Sequence, residues 1–243
     1  MPHLVITRNF QDALKGMREF KDEYNYAALT GEPSTFKMAV LSDNGFCGLW
    51  ELETGPWILG LGTYEPSFIP TVVGHASSLD IRVTIPRTWL KVSLEKRSEW
   101  NFLLITSTPI QSNRYVVEEL NSVVEINEFI ERCAPDSSTR PGDSEILFWH
   151  GIRGYAGELL SIGGTVRWRN GTTMVVSIAT DPIARGKSMA QEVTASLVKR
   201  LFGLGEPAVG LGVWAQNAPA IRAYEKVGFR LAEEFVSGPL LLP

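Results

Sequence analysis

Residues 172–201 read TTMVVSIATDPIARGKSMAQEVTASLVKRL, and the order of patterns in this stretch decides the fold. Thr172–Thr180 is β-branched and apolar, the composition of a central strand. Asp181-Pro182 stops it, because proline cannot donate to a strand ladder. From Ser188 to Leu201 the period becomes helical, with Met189, Val193, Leu197, Val198 and Leu201 on the inward face. The loop between them holds Arg185, Gly186, Lys187 and Ser188. Backbone N–H groups at a helix start lack intrahelical acceptors and make an anion site. Two cations and a glycine beside them suit a pyrophosphate. The competing reading is a polar loop in which Ser188 only caps the helix. A Walker A loop is excluded, because its Gly-rich spacing and Gly-Lys-Ser/Thr ending do not occur together. A dinucleotide fingerprint is excluded because GxGxxG is absent.

Downstream, Gly203–Gly205 turns the chain. Ala208–Trp214 reads as a strand, Ala218–Val227 as a helix and Phe229–Val236 as a last strand. Asn217 suits a helix cap or a contact to a ligand amide. Tyr224 lies one turn beyond Ala220. Gly228 ends the helix and Phe229 plugs the core. Upstream, Ile146–Ile152 and Glu158–Val166 read as strands around Arg153–Gly157, and Asn170-Gly171 turns into the central strand. Residues 113–132 place Tyr115, Val116, Leu120, Val123, Val124, Ile126, Phe129 and Ile130 at helical spacing, which predicts one amphipathic helix. Residues 134–143, APDSSTRPGD, read as a loop. The order β-β-β-α-β-α-β predicts an α+β fold, an α/β sandwich with helices on a mixed sheet.

Taken together, the two motifs resemble the GCN5-related N-acetyltransferase (GNAT) superfamily, closest to its FR47-like branch. The family pattern Asn-x-x-Ala-x-x-x-Tyr-x-x-x-Gly-Phe is complete in Asn217, Ala220, Tyr224, Gly228 and Phe229. The preceding pattern, Arg/Gln-x-x-Gly-x-Gly/Ala, is met by Arg185 and Ala190, with Ser188 in place of the middle glycine. Serine is small enough for that turn provided its φ stays negative. The resemblance covers roughly residues 113–236. It implies acetyl-CoA as co-substrate, with its pyrophosphate on the N–H groups of Gly186, Lys187, Ser188, Met189 and Ala190 and with Arg185 and Lys187 nearby. It implies pantetheine beside Ile178, Ala179 and Thr180, admitted by a splay between the 172–180 and 208–214 strands. Asn217 and Ala220 would border the arm, and Tyr224 would protonate the departing thiolate. The reaction implied is direct attack on the thioester by a primary amine of a small molecule or peptide. Glu158 is the expected base; His150 and an ordered water stay open. The alternative is a non-catalytic acyl-CoA-binding sensor that kept the fold.

Residues 1–109 are expected to form a degenerate GNAT-like or acceptor-side α+β domain and residues 110–243 the catalytic domain. In the first half, Leu14, Met17, Phe20 and Tyr24 predict a helix over 12–25. Met38–Leu41 and Phe46–Glu51 predict a hairpin with Gly45 in the left-handed position. Gly55–Tyr64 reads as a strand with a bulge and Ile81–Ile85 as another. Trp100–Thr106 reads as a buried strand. Gly60-Leu61-Gly62 lacks the cations and helix of a phosphate loop. Trp50, Trp57 and Tyr64 are core or acceptor-wall residues, with core favoured.

Composition sets the outer limits. The chain has 243 residues, 44% hydrophobic and 21% charged, with 23 basic against 27 acidic residues and a net charge of -4. That balance argues against a nucleic-acid partner. Cys47 and Cys133 are the only cysteines, and the histidines at 3, 75 and 150 are dispersed, so no metal site is expected. No stretch approaches the ~20 apolar residues of a membrane span, and no signal peptide is evident, so a cytoplasmic protein without a membrane partner is expected. A homodimer is compatible with all of this.

Overall fold

A computed structural model describes residues 4–20 and 31–242. The chain divides into two compact units: Met1–Phe102 with Trp214–Gln216 and Glu233–Pro243, and Leu103–Val213 with Asn217–Ala232.

The first unit begins with β1 (Val5–Thr7) and α1 (Phe10–Phe20). Asn9 caps α1, its Oδ1 accepting from the N–H groups of Gln11 and Asp12 at 2.9 and 3.2 Å. Leu14 and Met17 are buried as their spacing requires. The predicted continuation of this helix to Asn25, with Tyr24, lies outside the described residues. Then come β2 (Phe36–Ser42), β3 (Gly45–Leu52), β4 (Gly55–Gly62), the short α2 (Phe68–Val73) and β5 (Arg82–Pro86). Pairing is antiparallel from β1 through β4 and parallel between β4 and β5. Two local expectations change. Gly45 is not left-handed; a Cβ there would collide with the Thr63 carbonyl and the Phe68 ring, so close approach is what demands glycine. The β3–β4 register runs unbroken from Gly45↔Gly62 to Leu52↔Gly55, so β4 has no bulge against β3.

The strand β6 (Ser98–Ile105) carries the chain into the second unit. There β7 (Glu118–Leu120), α3 (Val123–Cys133), β8 (Ile146–Arg153), β9 (Leu159–Arg167), β10 (Thr173–Thr180), α4 (Met189–Gly203), β11 (Val209–Trp214) and α5 (Ala218–Val227) follow in turn. The last strand, β12 (Arg230–Pro239), pairs antiparallel with β5 from Phe235 to Pro239. In the second unit, pairing is antiparallel from β7 through β10 and parallel between β10 and β11. Val193, Leu197, Val198 and Leu201 bury the inner face of α4 completely. Each contributes about 1.5–3 kcal/mol of transfer free energy.

The single helix expected over 113–132 is replaced by a loop, the edge strand β7 and then α3. Ser122 explains the late start: its side chain accepts from the Glu125 N–H and caps α3 there. Helical spacing also mistook wet residues for core, since Val116 is 86% and Val124 66% exposed. Only Ile126, Phe129 and Ile130 form the buried stripe of α3.

Both units therefore run strand, helix, three strands, helix, strand, with the same sequence of antiparallel and parallel pairings. This is a mixed sheet flanked by helices, used twice. The repeat differs at the end of its fourth strand. β4 and β5 pair at Trp57↔Arg82, Ile58↔Val83 and Leu59↔Thr84, whereas β10 and β11 pair only at Met174↔Gly210. In the first unit the indole of Trp89 fills the end of β4. It is 2% exposed, donates from Nε1 to the Gly62 carbonyl at 2.8 Å, and packs on Tyr64 and Phe68. Trp50 is wholly buried too, so it is core and not wall. No described helix is long and apolar enough to cross a membrane. Trp89→Ala should cost about 3–5 kcal/mol, because it empties a filled site and orphans a carbonyl. A fall in the urea midpoint at unchanged slope checks this.

Candidate functional site

The end of β10 and the start of α4 define a cavity of about 620 Å³ in the second unit. Its floor is Ile178, Ala179 and Thr180. Its head is Arg185, Gly186, Ser188, Met189 and Ala190, and α5 contributes Asn217, Ala220 and Tyr224. Two motifs some thirty residues apart thus meet at one opening. A register shift between Val176 and Ala179 interrupts the β9–β10 ladder there, and Ser177 within it has a left-handed backbone (φ 53°). The Ser177 hydroxyl donates to the Thr139 carbonyl at 3.0 Å and lies 2.5 Å from the Ser137 hydroxyl.

Between β10 and α4, Asp181 caps a turn of 3-10 helix over Pro182–Ala184, accepting from the Ile183 N–H at 3.0 Å. The N–H groups from Gly186 to Ala190 have no carbonyl partner among the described residues. Gly186 has φ 77° and Ser188 has φ 65°. The expectation of a negative φ at Ser188 is therefore corrected: serine adopts the conformation of the glycine it replaces. Nor is it a cap, since its side chain accepts no cap hydrogen bond. The capping role falls instead to Asn217 in α5, whose Oδ1 accepts from the Ala220 N–H at 3.2 Å. Gly228 closes α5 at φ 116°, with its N–H shared by the Tyr224 and Glu225 carbonyls.

Charge at the cavity is one-sided. Arg185, Arg222 and Lys226 line it, and no acidic side chain among the described residues does. Sequence reasoning misses Arg222 and Lys226, although their i, i+4 spacing on the helix that carries Tyr224 puts them on one face. It also misses Cys133 and Ala134, brought to the cavity from the end of α3. Lys187 is exposed and not among the lining residues; its carbonyl accepts from the Tyr115 hydroxyl at 3.0 Å. Arg185 Nε donates to the Thr180 carbonyl at 3.2 Å, leaving that oxygen a second lone pair.

Tyr224 is 8% exposed and its ring meets Phe229 edge-on at 6.2 Å. Its hydroxyl has no hydrogen-bond partner among the described residues. Burial pushes its ionisation up to about 12, so it holds its proton at neutral pH. Glu158 stands apart, exposed in the β8–β9 turn, where its Oε2 accepts from the Ala156 N–H at 3.1 Å. His150 is also apart from the cavity. It is buried under α4, with Nδ1 at 3.0 Å from the Ser196 hydroxyl and Nε2 at 3.3 Å from Arg200. Glu119 holds Arg200 in place at 2.8 Å. Desolvation, then the Arg200 charge, brings the His150 pKa down to about 4. No group of three or more His, Cys, Asp or Glu suited to a metal occurs among the described residues.

Comparison with known proteins agrees with this geometry. The model of the acetyltransferase (GNAT) family matches residues 123–229. Mycothiol acetyltransferase from Brachybacterium faecium is 44% identical over 55 residues, which cover 23% of this chain and 17% of that protein. Among solved structures, a GCN5-related N-acetyltransferase from Kribbella flavida superposes with a TM-score of 0.59 at 14% identity, covering 87% of this chain and 92% of that one. One from Sphaerobacter thermophilus gives 0.57 at 10% identity, covering 96% and 94%. An acetyltransferase of the GNAT family from Colwellia psychrerythraea gives 0.56 at 13%, covering 98% and 100%. These structures share the fold. Apart from Trp214–Gln216, the family match over 123–229 lies within the second unit.

Two outcomes follow from the site. Ser188→Gly relieves the left-handed serine and should raise stability by about 0.5 kcal/mol after the entropy of the added glycine. Ser188→Val should lose about 2 kcal/mol, because a β-branched residue resists positive φ. Denaturant midpoints of both variants check this. His150 is neutral when folded and titrates near 6.5 when unfolded. Its contribution is therefore complete above pH 6.5 and is lost as pH falls toward 4, by roughly 2 kcal/mol after solvent screening. Urea midpoints from pH 7 to 4.5 should fall less steeply for His150→Gln than for the parent.

Proposed function

We propose that this chain is a GNAT-type N-acyltransferase that moves an acetyl group from acetyl-CoA to a primary amine of a small molecule or peptide. The observation that carries the proposal is the run of unpaired N–H groups from Gly186 to Ala190 at the head of the cavity. A doubly charged pyrophosphate satisfies those donors at the positive end of α4. Arg185, Arg222 and Lys226 supply the countercharge for the phosphates of the donor. The complete Asn217–Phe229 pattern is what aligns it with the FR47-like branch.

The pantetheine arm then runs along Ile178–Thr180, on the side of β10 that pairs with β11 only at Met174↔Gly210. Asn217 spends its carbonyl on the α5 cap and keeps its amide NH2 for the arm. The thioester ends beside Tyr224. The amine nitrogen attacks the thioester carbon, the C–N bond forms and the C–S bond breaks. Tyr224, protonated because it is buried, gives its proton to the leaving thiolate. Water takes the proton that the amine loses and returns one to the Tyr224 phenolate, which restores the balance. Most of the rate comes from holding amine and thioester together. Residues 110–243 hold the donor in this account. Residues 1–109 hold none, since Trp89 fills the corresponding strand end.

Isothermal calorimetry with acetyl-CoA tests the donor site, and wild-type protein that binds none overturns the proposal. A thioester-consumption screen over amines, amino acids, aminoglycosides and peptides tests turnover. Donor binding without turnover on any acceptor would make the chain a binder and not an enzyme. With an acceptor found, Tyr224→Phe should lower kcat about 100-fold, the scale of one positioned acid, while the acetyl-CoA Kd stays within about twofold.

A further inference from the structure

Among the described residues, three that are not glycine have a left-handed backbone: Asn113 (φ 54°), Ser177 (φ 53°) and Ser188 (φ 65°). All three belong to the second unit. A backbone of this kind persists only where its surroundings over-determine it. Ser177 has the Ser137 and Thr139 contacts. Ser188 makes no cap bond of its own, so its restraint must come from its neighbours in the chain.

Those neighbours are held from outside the loop. Lys187, just before Ser188, accepts at its carbonyl from the Tyr115 hydroxyl at 3.0 Å. Glu192, one turn after it, is only 2% exposed. Its carboxylate accepts from the Ser112 N–H at 3.0 Å, from the Ser112 hydroxyl, and from the Asn113 N–H at 3.1 Å. One short segment, 112–115, is therefore fastened to the chain on both sides of Ser188. The left-handed Asn113 belongs to the Glu192 fastening, two residues before Tyr115. Neither Tyr115 nor Glu192 lines the cavity.

We infer that Tyr115 and Glu192 are positioning residues for the donor: the 112–115 segment braces Lys187 and Ser188 so that the Gly186–Ala190 N–H groups stand ordered before pyrophosphate arrives. The inference rests on the proposed donor site and adds who holds it. Without the brace, Ser188 relaxes to negative φ and the N–H groups turn away. Binding must then re-order them, and affinity falls by that cost. The buried Glu192 carboxylate makes the brace cooperative, because a buried charge tolerates loss of its donors poorly. It also sits where the α4 dipole favours a negative group.

Tyr115→Phe removes one hydroxyl and leaves the ring in place. It should weaken acetyl-CoA binding about fivefold, the worth of one net hydrogen bond, with KM for acetyl-CoA rising likewise, kcat within about twofold and Tm lower by no more than about 4 °C. Ser112→Ala, which removes one of three donors to Glu192, should weaken binding in the same direction. The decisive measurement is rescue. Glycine takes a positive φ without help, so Tyr115→Phe combined with Ser188→Gly should bind acetyl-CoA as tightly as Ser188→Gly alone. Wild-type affinity in Tyr115→Phe overturns the brace, as does a loss that Ser188→Gly fails to restore. Wild-type affinity in Ser112→Ala overturns the part given to Glu192. A wild-type protein that binds no acetyl-CoA overturns the donor site itself, which is a separate result.

Discussion

The second unit is organised around a set of backbone donors that the fold leaves unpaired. A helix that starts directly after a strand cannot satisfy its first N–H groups internally. The chain usually answers with a cap. Here Ser188 faces away from that role, and Gly186–Ala190 keep their N–H groups free beside three cations in a chain whose net charge is -4. The other features of the cavity serve this arrangement. The early end of the β10–β11 pairing opens the floor, α5 supplies the far wall, and the 112–115 segment holds the strained loop.

The first unit shows what the same topology does without that constraint. It repeats the strand order and the parallel fourth pairing. Its connecting helix, Phe68–Val73, is six residues against fifteen for Met189–Gly203. No cation follows Gly62 before it. The strand end is closed by an indole that donates to the Gly62 carbonyl. One aromatic side chain thus converts an open cleft into core. Tryptophan suits this because it fills a large volume and still satisfies one polar neighbour. Trp50, Trp89 and Trp149 are core, whereas Trp214 is 53% exposed.

Most elements of the second unit were legible because their signals are local. The β-branched run of β10, the Pro-Ile after Asp181, the Asn217 cap and the Gly228 stop each act within a few residues. The errors arose where a local pattern has two physical meanings. Val116, Leu120 and Val124 recur at helical spacing, yet a short edge strand and a capped helix fit the same letters. What decides is pairing with β8, which the letters do not record. Gly45 signals a turn by type, but its glycine is required by the Thr63 carbonyl and Phe68 ring against it. Glu158 and His150 are the candidate bases from the strand segments that precede the central strand. Pleat and turn geometry send one to an exposed hairpin and the other under α4.

The sequence by itself determined the mixed fold of the second unit, the two motif segments and Tyr224, because cap, stop and period are properties of neighbouring residues. Only the tertiary structure decided that Ser188 takes a glycine's conformation and that Arg222 and Lys226 join Arg185. It alone decided that Trp89 closes the matching cleft and that Tyr115 and Glu192 hold the loop. Each of these depends on which distant residue fills a given volume or meets a given donor. Such contacts form through chain closure and packing and have no short-range period in the sequence.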